Sequence, residues 1–199
     1  MSRTVLVCIA LTAASWSPHA EPASPPLLSL YERGSDWPRF VASVRVHPDL
    51  WHRDDARTPV AQALVDRLAR VGRDLRLLIV AEDWCTDSAN TIPFVAHLAS
   101  LAGVELRILD RTSGASLMTR HPSGDGRGVT PLVVFIRDGQ DRGAWVERPQ
   151  PLQEAFRRMA DDPASHHRAA ERQSWYDADQ GRTALEEIVA AAERSAASQ

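Results

Sequence analysis

Cys85 is the residue of this chain best placed to do chemistry, because of what stands on either side of it. Residues 75 to 88 read Leu-Arg-Leu-Leu-Ile-Val-Ala-Glu-Asp-Trp-Cys-Thr-Asp-Ser. The apolar run Leu77 to Ala81 is short, partly β-branched and flanked by polar residues, which predicts a core strand. Thr86, Asp87 and Ser88 are helix-starting side chains, and Ile92, Val95, Ala96 and Ala99 follow them at helical spacing. A thiol where a strand hands over to a helix meets free N–H groups and the positive end of the helix dipole, which favour the thiolate. Glu82, Asp83 and Asp87 act in the opposite sense.

Other chemistry-bearing types are less well arranged. His166 and His167 are adjacent and cannot put both rings on one helix face, no His-Glu-x-x-His occurs, and a single cysteine is not a zinc site, so no metal is expected. His47 and His52 read as surface residues, and nothing in the spacing supports His97 or His121 as a base for Cys85. The glycine-rich loop Ser123 to Gly128 precedes a strand instead of joining a strand to a helix, so it is no dinucleotide fingerprint and no cofactor is implied.

The elements that must hold Cys85 fit in one domain. A chain of 199 residues, 44% hydrophobic and 25% charged, has apolar material for one core of ordinary size. A net charge of −3 without a basic run excludes nucleic acid as the expected partner. Arg67, Arg70, Arg73 and Arg76, spaced at three, read as the solvated side of a helix and its exit.

Residues 1–20 have the pattern of a secretory signal: Arg3, then an apolar stretch from Val5 to Ala14, too short to span a bilayer. Cleavage after Ala20 or Ala14 implies a secreted, periplasmic protein, and an uncleaved anchor is the alternative. Removing residues 1–20 takes away Cys8 and leaves Cys85 without an internal disulfide partner. Residues 21–34 read as a Pro-rich spacer, with order beginning near Ser35. Within a single domain of 35–199, residues 35–74 should supply two helices. The first is capped by Ser35 or Asp36 and ended by Pro48. The second runs from Thr58 to Val71, with Val60, Ala63, Leu64, Leu68 and Val71 facing inward.

In the core, 75–160, the alternation of Val104 to Leu109 predicts a half-exposed strand, and residues 113 to 121 a short helix with Leu117 and Met118 inward. Leu132 to Ile136 predicts a buried strand, turned at Asp138-Gly139 into a partner over Arg142 to Val146. A helix from Pro151 to Ala160 follows. The tail, 161–199, carries Leu185, Ile188, Val189 and Ala192 at helical spacing.

This order of elements resembles the thioredoxin-like fold: α/β, a central mixed sheet flanked by helices, here with N- and C-terminal helical extensions. The resemblance is carried by Trp84-Cys85 at the strand-to-helix junction, Pro93 within the following helix, and Thr130-Pro131 ahead of a hairpin strand. Asp83-Trp84-Cys85-Thr86-Asp87 is similar to the Asp-Trp-Cys-Gly-Asp active site of a bacterial thioredoxin branch. Glu105 to Leu109, Arg148-Pro149 and Glu186-Glu187 extend the likeness.

The resemblance implies that the prolyl bond before Pro131 is cis and borders the sulfur, that Thr130 aligns an extended substrate, and that Trp84 frames the thiol. It also exposes departures. Ser88 stands where a resolving cysteine would be, Ile79 where many members bury an acid, and Thr86-Asp87 replaces the usual Gly-Pro.

With Ser88 unable to form an S–S bond, the expectation is monothiol thiol–disulfide exchange through Cys85, finished by an external thiol. Thr86, Asp87 and Ser88 would support the sulfur, which should be less acidic than that of a strongly oxidising member. Partners would be protein or low-molecular-weight thiols and disulfides. The other reading is a non-catalytic thioredoxin-fold module for binding or folding assistance, with a vestigial thiol.

Overall fold

The structure, a computed structural model, describes residues 26–52, 60–72, 74–160 and 168–197. The expected signal segment, Cys8, Arg73 and the pair His166-His167 lie outside them.

Four strands, β1 (Arg76–Val80), β2 (Glu105–Leu109), β3 (Leu132–Arg137) and β4 (Gln140–Val146), form one sheet in the order β2-β1-β3-β4. The β1–β2 pair is parallel, and β1–β3 and β3–β4 are antiparallel. Asp138 and Gly139 both take positive φ, 51° and 71°, as the mirror-image turn between twisted strands requires. Val80 pairs with Leu109 on one side and Leu132 on the other, so the ends of β1 and β2 meet the start of β3 at one rim of the sheet.

The described helices are α1 (Leu27–Arg33), α2 (Trp37–Ser43), α3 (Pro48–Trp51), α4 (Gln62–Val71), α5 (Thr86–Ala102), α6 (Ala115–Arg120), α7 (Gln150–Ala160), α8 (Arg168–Asp179) and α9 (Arg182–Ala197). They cover both faces of the sheet, which is why β1 and β3 read as continuous apolar runs and not as alternation. On one face Leu77, Ile79, Val133 and Phe135 pack with Leu64 and Leu68 of α4, Ile92 and Val95 of α5, and Ile188 and Val189 of α9. On the other, Leu78, Val80, Val134 and Ile136 meet Leu30 and Tyr31 of α1 and Leu117 and Met118 of α6.

Several expectations need correction. Residues 27–33 of the expected spacer are α1. Leu30 and Tyr31 are buried there because the second sheet face would otherwise lack a cover, and Tyr31 also lies over the guanidinium groups of Arg76 and Arg107.

Asp36 caps α2 as expected, accepting from the Arg39 N–H at 2.9 Å. That helix ends at Ser43, however, and Pro48 starts α3: a proline ring suits a first turn, where no N–H donor is needed. In α4, Val65 is buried and Ala63 exposed. Arg67 is not simply solvated. It forks onto both Glu193 oxygens at 2.8 and 2.9 Å and reaches Glu186 at 2.7 Å, tying α4 to α9.

The tail is two helices, broken at Gln180 and Gly181, both at positive φ. A Cβ on Gly181 would stand 2.5 Å from the Phe94 ring, so glycine is what lets this turn lie against α5.

Candidate functional site

Cys85 occupies the N-cap position of α5 in extended conformation: the Ala89 N–H donates to its carbonyl at 2.9 Å, and its own N–H donates to the Glu82 carbonyl at 3.1 Å. The side chain is half-buried, is not in a disulfide, and donates from Sγ to the Thr130 carbonyl at 3.3 Å. The Thr130-Pro131 bond is cis. Trp84, directly before the thiol, is 53% exposed, an unusual state for so large an apolar surface. Sequence places these groups 45 residues apart; the β1–β3 pairing brings them to one rim.

The loop before the thiol is held from two sides. On one, Trp51 is fully buried, edge-on to Phe40 at 5.0 Å and 6.3 Å from Trp37, and its Nε1 donates to the Asp83 carbonyl at 2.9 Å. The Asp83 carboxylate accepts the N–H groups of Arg45 and Val46 at 2.9 and 3.2 Å. On the other, Glu82 accepts the Arg111 N–H at 2.7 Å, and the Arg111 side chain reaches the Gly128 carbonyl at 3.2 Å. Glu82 and Asp83 are thus loop ties as well as charges.

Two residues past the sulfur the environment changes. Asp87 is 4% exposed and Ser88 fully buried. Arg148 places Nη2 and Nε at 2.8 and 3.2 Å from Asp87 Oδ2, and the Tyr176 hydroxyl donates to Oδ1 at 3.0 Å. Arg172 lies 3.8 Å from the same carboxylate and donates to Thr86 Oγ1 at 2.9 Å.

Glu147, buried at positive φ, pairs with Arg148 at 2.9 Å and accepts from Gln153 at 2.8 Å. Its N–H donates to the Pro131 carbonyl at 2.8 Å, so the cluster is joined by backbone to the segment beside the sulfur. Both guanidinium groups lie over the Phe156 ring, at 4.7 and 5.9 Å. Two arginines face two carboxylates, the balance that buried charge requires.

The protonation states follow from the same geometry. Burial works against the Arg148 charge, but Asp87 and Glu147 outweigh it and hold the guanidinium above its usual range. Burial, then the neighbouring Asp87, pushes the Tyr176 phenol well above its ordinary value, so it stays a donor.

Of the residues singled out by sequence, Trp84, Cys85, Thr130 and Pro131 come together at the sulfur. Thr86 and Asp87 face the charge cluster. Ser88 Oγ has no hydrogen-bond partner, so neither the bond to the thiol nor the helix cap expected of it is formed. The Thr130 carbonyl is already engaged by the thiol. The His121 ring pairs at 2.8 Å with Asp141, near the start of β4 and at the end of the sheet away from the Leu132–Val146 pair beside the sulfur.

Sequence reasoning missed Trp51, Glu147, Arg172 and Tyr176. A fully buried tryptophan in a polar stretch was visible only as an out-of-place aromatic. The others lie in segments whose partners are remote in sequence.

A family model described as Thioredoxin matches residues 34–164. No curated protein matched the sequence. Among solved structures, a protein of unknown function from Pseudomonas aeruginosa is similar at 24% identity and a TM-score of 0.65, over 83% of this chain and 96% of that one. An HIV epitope scaffold is similar at 22% identity with the same TM-score and coverage. At these identities the structures bear on the fold alone.

Proposed function

The chain belongs to the thioredoxin family, and on that premise we propose that it is a monothiol thioredoxin-like protein that exchanges disulfides through Cys85. One observation carries this reading: a half-buried thiol at the N-cap of α5, hydrogen-bonded to Thr130 beside cis-Pro131 and flanked by exposed Trp84. Trp84, exposed beside the thiol, offers an apolar surface to a client.

The steps balance without a second protein sulfur. Cys85 loses its proton to solvent, and the thiolate attacks one sulfur of a disulfide R–S–S–R′. The Cys85–S–S–R bond forms, the original S–S bond breaks, and R′S⁻ leaves with the electron pair. An external thiolate, R″S⁻, then attacks the R sulfur, forms R–S–S–R″ and returns Cys85 as thiolate. Ser88, fully buried and lacking sulfur, has no part in release.

The N-terminal pattern of Arg3 followed by Val5 to Ala14 supports export, and a periplasm or other oxidising compartment would supply disulfide substrates.

Insulin reduction with dithiothreitol and then glutathione, comparing wild type with Cys85→Ser, tests the reading. The variant should fall to the uncatalysed rate, and the wild type should yield a Cys85-linked mixed disulfide on a non-reducing gel. Equal rates would overturn exchange in favour of binding through the same surface.

A further inference from the structure

Helix α8 reaches the N-terminal end of α5 with three side chains, Arg172, Gln173 and Tyr176. Arg172 donates to Thr86 Oγ1 at 2.9 Å and stands 3.8 Å from Asp87. The Tyr176 hydroxyl donates to Asp87 Oδ1 at 3.0 Å, and Gln173 and Asn90 exchange two hydrogen bonds at 3.0 Å each. Thr86, Asp87 and Asn90 are the first, second and fifth residues of α5, whose N-cap is Cys85.

We propose that Arg172 and Tyr176 are positioning residues for the Cys85 thiol, acting through Asp87 and Thr86. The proposal deepens the exchange reading and rests on it in taking Cys85 as the reacting group. An unpaired carboxylate two residues from the sulfur would oppose the thiolate, and Arg148, Arg172 and the Tyr176 hydroxyl together offset its charge. The contact to Thr86 also fixes the orientation of the turn whose free N–H groups face the N-cap residue.

Four segments bring charged groups near the sulfur. On its own loop, Glu82 and Asp83 accept backbone N–H groups of Arg111, Arg45 and Val46. On α5 there is Asp87. Between β4 and α7 there are Glu147 and Arg148, and from α8 come Arg172 and Tyr176. Among these, Arg172 and Tyr176 can be altered without touching the strand, the loop or the prolyl segment.

The test is the pH profile of iodoacetamide alkylation, read by mass spectrometry on the Cys85 peptide of the full chain so that Cys8 does not contribute. Tyr176→Phe keeps the buried ring and removes only the donor, and Arg172→Gln removes the charge. Each should slow alkylation at pH 7 by about threefold, with an unchanged rate at high pH where all the thiol is ionised. In an Asp87→Asn background, Tyr176→Phe should have no further effect.

Profiles that superimpose on wild type while thermal stability falls would mean that α8 only stabilises, and would overturn the proposal. A full Tyr176→Phe effect persisting in the Asp87→Asn background would overturn it as well. Should Arg172→Gln not fold, Tyr176→Phe carries the test. Alkylation reads the sulfur alone, so a protein inert toward disulfides would still show the shift, and failure of exchange is told apart from failure of positioning.

Discussion

Trp84-Cys85 and Asp87-Ser88 are neighbours in sequence and opposites in environment. The first pair presents a half-exposed tryptophan and a thiol whose hydrogen bond is to a backbone carbonyl. The second buries a carboxylate under two arginines and a tyrosine, and a serine whose hydroxyl has no hydrogen-bond partner. A helix start divides them: residues before it lie on the rim of the sheet, and residues after it turn into the body. One side is left exposed, and the other is locked by side chains of this chain.

The largest effect should come from the locked side. Arg148→Met leaves Asp87 and Glu147 buried with one counter-charge fewer, which should cost about 3 kcal/mol of stability in urea denaturation. A loss below about 1 kcal/mol would show that water reaches the cluster and would break the contrast.

A smaller effect belongs to the far end of the sheet and must be subtracted from any acid sensitivity of the site. Burial would raise Asp141, but hydrogen bonds from His121, the Gly143 N–H and Arg120 overcome it and hold the carboxyl at about 2, below the ordinary 3.8. Folding lowers this value, so the stabilisation is complete above the ordinary value and is lost as pH falls toward 2. The difference in urea stability between wild type and Asp141→Asn should therefore be present at pH 5 and shrink by pH 2.5. A constant difference would remove the carboxylate from the account.

The smallest stability effect is expected on the open side. Trp84→Ala should change stability by about 0.5 kcal/mol or less while reducing the yield of Cys85-linked client. A large loss of stability would mean that this side too is part of the packing.

The legible part of the molecule was its local part. β1 and β3 announced themselves as short β-branched runs, Asp138-Gly139 as a turn, and Leu185, Ile188 and Val189 as a stripe. Each is a pattern within a few residues, and each is buried or turned as expected. In α1, Leu27, Leu30 and Tyr31 recur at helical spacing, but the prolines before them suggested a spacer, and only the uncovered sheet face explains the helix. Pro48 could end one helix or begin another by its own chemistry, and packing of Trp51 under Asp83 favours the second.

For the site, residue types and order determined a single thiol at a strand-to-helix junction, with no second sulfur at Ser88. Those are properties of covalent sequence and local propensity. The tertiary structure decided that Asp87 faces Arg148, Arg172 and Tyr176, and that α8 lies against the first turn of α5. Pairing of buried charge depends on which distant elements the sheet and its two cores bring together, and no local pattern encodes that meeting.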